Sequence, residues 1–163
     1  LSLGEGEGRN AVFLAERGYQ VTGVDSSSVG LAKAQQLAET RGVTIDTVRA
    51  DLGEYTIQPD AWEGIISIWA HVPRQLRSRL HRAAVAGLVP GGVLVLQAYT
   101  PDQLQYGTGG PPVRELLVEL STLREELQGL DFVIGEEIVR EVREGRLHDG
   151  PSAVVQVVAV KPA

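Results

Sequence analysis

The 163-residue chain has no cysteine, so it holds neither a disulfide framework nor a thiolate metal site. Histidine is almost as scarce. His71, His81 and His148 stand far apart, without the paired spacing of a zinc site, and no metal is expected. Apolar runs are short: none approaches membrane-spanning length, and no signal peptide is visible. No membrane partner is therefore expected, and the chain is expected to be cytoplasmic. An excess of positive charge is also missing. Lys and Arg number 15 against 21 Asp and Glu, and the formal net charge is −6. This argues against nucleic acid as the main partner, because phosphate binding needs a basic footprint. The length suffices for one domain with a substantial core. No internal repeat, low-complexity tract or linker divides it, so residues 1–163 are expected to form one domain. The chain opens inside an apparent strand, and an N-terminal segment is expected to be missing.

Glycine is present in a special arrangement. Gly4, Gly6 and Gly8 alternate in the run Leu-Gly-Glu-Gly-Glu-Gly-Arg-Asn over residues 3–10, and Asp25 closes the next apolar strand. Alternating glycines let a backbone turn tightly from strand to helix and remove the Cβ atoms that keep a ligand from the main chain. An acid at the tip of the second strand is placed to hold the two hydroxyls of a ribose. Together they imply a nucleoside-containing cofactor across two parallel strand ends. The dinucleotide fingerprint G-x-G-x-x-G is not met, because its last position is Arg9. Glu5 and Glu7 would repel a pyrophosphate. They suit a cationic ligand, and a sulfonium cofactor with a free amino group fits better than a nicotinamide dinucleotide.

Helix and strand patterns alternate along the chain. A strand ends at residue 3, and residues 9–17 read as a helix stopped by Gly18. Residues 21–24 are a strand ending at Asp25, and residues 26–28 offer N-cap hydroxyls for a helix over 29–40. A third strand covers 43–48 and runs out at Ala50, Asp51 and Leu52. Residues 62–69 form an almost wholly apolar strand, as a sheet covered on both faces requires. A helix follows from Pro73 to about residue 87, and Pro90, Gly91 and Gly92 turn the chain into a strand over 93–99. Residues 113–127 read as one amphipathic helix with Leu116, Leu117, Leu120, Leu123 and Leu127 inward. Strands over 132–143 and 153–160, joined by a turn over 145–151, must be antiparallel. The expected fold class is α/β: a doubly wound, mostly parallel Rossmann-like sheet closed by an antiparallel C-terminal strand pair.

This order, with L-x-L-G-x-G-x-G-R-N at 1–10, V-x-G-V-D-x-S at 21–27, A-D-L at 50–52 and L-V-P-G-G-V-L-V-L at 88–96, resembles the class I S-adenosylmethionine-dependent methyltransferases. The run from Gly8 onward is most similar to their small tellurite-resistance and thiopurine-type branch. The resemblance implies S-adenosyl-L-methionine as cofactor and a small-molecule methyl acceptor. Gly4, Gly6 and Gly8 would pass close to the methionine part, and Asn10 follows in the same motif. Asp25 would grip both ribose hydroxyls, with Ser26 beside the adenosine. Asp51 would accept from the adenine amino group, Leu52 would pack on the ring, and Ala50 opens that motif. Ser67 and Trp69 would line the cavity beside the reactive methyl. The family often has an acid where this chain has Ser2, and Glu5 is the nearest replacement charge for the cofactor's amino group.

Some assignments have two readings. Asp25 also suits a plain N-cap. His71 is the best candidate for a general base, or it anchors the loop before Pro73. Tyr99 and Tyr106 are candidates for substrate binding, Tyr106 from a lid-like loop; their alternatives are a half-buried strand end and a surface loop. His148 is expected to be solvated. Arg74, Arg77, Arg79 and Arg82 spread around one helix and read as a solvated face. A nicotinamide-dependent oxidoreductase and a non-catalytic cofactor-binding module of the same fold stand as alternative functions. Neither the acceptor nor an oligomeric state is set by the sequence.

Overall fold

A computed structural model describes residues 1–144 and 149–163. His148, expected in a solvated turn, lies outside the described residues. The strands are β1 (Ser2–Leu3), β2 (Thr22–Asp25), β3 (Asp46–Arg49), β4 (Trp62–Ile68), β5 (Leu88–Tyr99), β6 (Asp131–Arg143) and β7 (Asp149–Val160). They form one sheet in the order β3-β2-β1-β4-β5-β7-β6. Neighbours from β3 to β5 run parallel, and β7 is antiparallel to both β5 and β6. The chain moves outward from β1 through β2 to β3, then returns to the other side of β1 for β4 and β5. That reversal puts a topological switch point between β1 and β4, where open α/β sheets bind ligands.

Alternation along the strands divides the core. Leu1 and Leu3 join Ile65, Leu94, Leu96, Val155 and Val157 in the main cluster. Helices α3 (Arg74–Gly87) and α4 (Leu120–Glu126) contribute Ala84 and Leu123 to it. Helices α1 (Arg9–Ala15) and α2 (Ser28–Arg41) supply Ala11, Val12, Ala34 and Ala38 to a second cluster with Val21 and Ile45. Ser27 caps α2 by accepting from Gly30 N at 3.0 Å. Among the described residues no helix is long and apolar enough to cross a membrane.

Besides the turn expected at Pro90, Gly91 and Gly92, which lies inside β5, the structure corrects the sequence reading in two elements. Residues 113–127 are not one helix. They form a short 3-10 turn, Arg114–Leu116, then extended backbone, then α4. Leu117 packs in a small cluster with Tyr99 and Val154, whereas Val118 belongs to the main core. Neighbouring side chains diverge that far only in extended backbone, where they alternate in direction. Val118 N donates to Tyr99 O at 3.1 Å, at the tip of β5 beyond its pairing with β4. Leu116 is left only half-buried. The second correction concerns α3. Arg77 is not solvated: it is 7% exposed and forks onto Glu126 of α4, with Nε to Oε2 at 3.1 Å and Nη2 to Oε1 at 3.2 Å. His81 Nδ1 meets the same Glu126 Oε2 at 2.7 Å.

Candidate functional site

The glycine loop turns back on β2: Gly4 N and Glu5 N both donate to Val24 O, at 2.9 and 3.1 Å. Two of its glycines do different jobs. A Cβ on Gly8 would lie 2.7 Å from Ala34, so Gly8 is where α2 seats against the loop. A Cβ on Gly6 would meet nothing within 4 Å, yet its φ of +64° is one that L-residues rarely adopt. Gly6 thus offers bare main chain to open space. Its N–H is held by Asp25 Oδ2 at 2.8 Å, and Asp25 Oδ1 accepts from Ser27 N, also at 2.8 Å. Asp25 therefore ties the loop to the start of α2. Its carboxylate has four lone-pair sites, and these two bonds leave acceptor capacity for a ligand's hydroxyls.

Two hollows lie near Asp25, which borders neither itself: Gly6, bonded to it, borders the larger, and Ser26, next to it in the chain, the smaller. The larger, about 610 Å³, is bounded by Gly4, Gly6, Asn10 and Trp69 on one side and by Gln97 and Arg140 on the other. The smaller, about 450 Å³, is lined by Ser26, Arg49, Ala50, Asp51 and Glu54. Asp51 forms an Asx turn there, Oδ1 accepting from Gly53 N at 2.6 Å. The structure thus gathers Gly4, Gly6, Asn10, Asp25, Ser26, Ala50, Asp51 and Trp69. Gly8 is turned into α2, Leu52 packs on the main core, and Ser67 sits half-buried within β4, in register with Leu3 and Leu96.

Glu5 departs from expectation. It borders the larger hollow, but its carboxylate is turned under the loop and is 5% exposed. Oε1 accepts from Ala11 N at 3.0 Å, and Oε2 accepts from the Ser2 hydroxyl. Ser2 and Glu5 thus satisfy each other and the first turn of α1, where a carboxylate suits the positive helix end. Burial pushes the Glu5 carboxyl above its ordinary range, although its hydrogen bonds oppose the shift. Glu5 anchors the helix and is not the outward charge expected for an amino group. Glu7 is on the surface and pairs with Lys33 at 2.5 Å, which draws its carboxyl down.

The tips of β4 and β5 carry an aromatic stack. Trp69 and Tyr99 have ring centroids 4.4 Å apart, and His71 lies 5.5 Å from Tyr99. Trp69 takes a left-handed φ of +61°, a strained conformation for a bulky side chain. The Tyr99 ring is fully buried, so it lines no open acceptor surface; burial is the main cause that raises its hydroxyl pKa. His71 Nε2 lies 3.5 Å from Tyr99 N in accepting geometry, which fits the loop-anchor reading. Tyr106 is exposed beside a loop that is tied down. Gln103 is buried, donates to Thr108 Oγ1 and Gly109 O at 3.0 Å each, and accepts from Ala153 N at 2.8 Å. None of His71, Tyr99 and Tyr106 borders either hollow.

The far wall of the larger hollow escaped the sequence reading. Gln97 on β5 and Gln156 on β7 are register partners, and Gln97 Oε1 accepts from both Gln156 Nε2 at 2.6 Å and Arg140 Nη1 at 2.8 Å. A signal existed: each glutamine interrupts an apolar strand at a position whose neighbours two residues away are valine or tyrosine. Among the described residues no group of three or more His, Cys, Asp or Glu is placed to hold a metal.

The family model described as "Methyltransferase domain" matches residues 1–92. The 2-heptyl-1-hydroxyquinolin-4(1H)-one methyltransferase of Mycobacteroides abscessus is 30% identical over 132 residues, covering 76% of this chain and 58% of that protein. The tRNA 5-carboxymethoxyuridine methyltransferase of Escherichia coli is 33% identical over 112 residues, covering 64% of this chain and 41% of that protein. The chain thus spans about half the length of these curated relatives. In structure it is similar to TehB from Haemophilus influenzae, with a TM-score of 0.79 at 21% identity over 98% of this chain and 57% of that one. At that identity the likeness establishes the fold.

Proposed function

The chain belongs to the methyltransferase-domain family, and we propose on that footing that it moves a methyl group from S-adenosyl-L-methionine to a small-molecule acceptor. The observation that carries this reading is the open side of Gly6, which borders the larger hollow and is bonded to Asp25, whose chain neighbour Ser26 borders the smaller. These residues fit the cofactor. Asp25 would hold the ribose, Ser26, Ala50 and Asp51 the adenine end, and the loop backbone with Asn10 the methionine end. When bound, that group would supply an electrophilic methyl carbon to a lone pair of the acceptor. The protein's share is to place the acceptor in line and keep water out, an effect of about 7–11 kcal/mol for well-oriented reactants. Trp69 stands just past the end of β4, beside the larger hollow, where that placing would occur. We read residues 1–163 as a single domain of this kind.

The curated relative that acts on tRNA keeps a nucleic-acid acceptor as a second reading. The net charge of −6 favours a small molecule over a phosphate backbone. Isothermal titration with S-adenosylmethionine and S-adenosylhomocysteine tests the proposal; binding of neither would reject it. A product-detected methylation screen with thiols, amines, phenols, oxyanions and bulk tRNA then separates the two acceptor classes. In that screen His71→Ala should leave turnover intact if the ring serves only as an anchor, and a selective loss of turnover would make it a base.

A further inference from the structure

We propose that Arg140 is the anion anchor of the acceptor subsite, taking an acceptor with an apolar body and a carboxylate or similar oxyanion. The inference rests on the methyltransferase reading above and goes further by naming what the acceptor must carry. Arg140 stands on β6, the edge strand, yet its guanidinium reaches across β7 to Gln97 on β5. That brings a cation to the strand end where Trp69 N donates to Gln97 O at 3.0 Å. It is therefore next to the β4 tip that borders the hollow.

The carboxylates on the hollow have partners of their own. Glu7 is paired with Lys33 at 2.5 Å. Glu5 is bonded to Ala11 N and Ser2 beneath the loop. Glu144 Oε2 accepts from Trp69 Nε1 at 2.5 Å, and Arg9 Nη1 donates to the Glu144 main-chain oxygen at 2.6 Å. Arg140, like Arg9, donates only to a neutral oxygen among the described residues, and its ion pair with Glu144 Oε1 is loose, at 3.9 Å; unlike the exposed Arg9, it is half-buried. A guanidinium has five donors in a planar fork that suits a bidentate oxyanion. Gln97 holds that fork in place, because its oxygen accepts from Gln156 as well. The side chain is 34% exposed, open enough to receive a ligand. Next to it, Val95, Val158 and Ile134 form a row across β5, β7 and β6 on the same wall. Apolar row and cationic fork together describe an amphiphilic acceptor, and a cationic cofactor alongside would favour an anionic one further.

The test uses the full chain saturated with S-adenosylhomocysteine and titrated with sodium benzoate, with benzamide as the neutral isostere. Benzoate should bind saturably and more tightly than benzamide. Arg140→Gln should weaken benzoate by about ten-fold or more, the scale of a lost charge-assisted pair, and leave benzamide unchanged. Arg140→Lys, which keeps the charge and loses the fork, should fall between, and both variants should keep the wild-type affinity for S-adenosylhomocysteine. No benzoate binding to the wild type, equal affinity for the two probes, or unchanged benzoate binding in Arg140→Gln would each overturn the assignment. The two readings fail separately. If S-adenosylhomocysteine does not bind, the methyltransferase reading falls, while benzoate binding to the unliganded chain that depends on Arg140 would still uphold the anion anchor.

Discussion

Glu5 and Glu126 are almost equally hidden, at 5% and 8% exposure, and their carboxyl pKa values move in opposite directions. Burial works to raise both. Under the glycine loop Glu5 meets only neutral donors, the Ser2 hydroxyl and main-chain N–H groups, and burial prevails. Between α3 and α4, His81 and Arg77 bond to Glu126 and outweigh burial, so its carboxyl is held below the ordinary range. The difference teaches that depth alone does not make a charge costly; the charge of its donors decides. It also separates two kinds of region. The α3–α4 seam is locked by ions. At the loop the carboxylates of Glu5 and Asp25 take hydrogen bonds from neutral donors alone among the described residues.

The largest effect should come from breaking the ionic seam. Glu126→Gln leaves Arg77 buried without its counter-charge, and Arg77 Nη1 already lacks a hydrogen-bond partner among the described residues. Chemical denaturation should show a loss of about 3–5 kcal/mol. In the wild type the Glu126 contribution is fully present above the ordinary value of 4.5 and is lost as pH falls through the lower folded value. A melting-temperature series in acid should therefore show the gap between wild type and variant closing below about pH 4.5.

Within the loop, two glycines should separate. Gly8→Ala combines a left-handed φ of +91° with a Cβ placed 2.7 Å from Ala34, so a stability loss of about 2–4 kcal/mol is expected. Gly6→Ala meets no atom and should lose only about 1–2 kcal/mol from its backbone angle. Its melting temperature should stay nearer wild type while its affinity for S-adenosylhomocysteine falls. Equal behaviour of the two variants would break the distinction. Asp25→Ala should weaken the same ligand by about 1.5–3 kcal/mol in titration calorimetry, and an unchanged affinity would remove the ribose assignment.

The smallest effect is expected at Glu5→Gln. The amide can accept from Ala11 N and donate to the Ser2 hydroxyl, so it keeps the contacts and removes the buried charge. Because the folded Glu5 value is raised, the wild type loses stability as pH rises from 4.5 through that value. The variant should thus be the more stable near neutrality and indistinguishable in acid. A variant that is less stable at neutral pH would mean that the carboxylate contributes more through the helix end than burial takes away.

The first wall of the larger hollow was legible and the second was not. Gly4, Gly6, Asn10 and Asp25 follow a motif whose meaning is local, a tight strand-to-helix turn with an acid on the next strand tip. Gln97, Gln156 and Arg140 belong to three strands, and their meeting depends on the order β5-β7-β6 and its register. Helical periodicity likewise failed at residues 113–127, because Leu117 and Val118 serve two separate clusters.

By itself the amino-acid sequence settled the order of strands and helices, the glycine turn and the acid beside it. These follow from backbone preference and from apolar spacing within a few residues, so no distant partner is needed to read them. Only the tertiary structure decided that Glu5 faces inward, that Arg77 is buried, and that Arg140 crosses a strand to the hollow. The reason is physical: alternation says which face a side chain leaves from, whereas its partner and its dielectric surroundings are set by chain that lies far away in sequence.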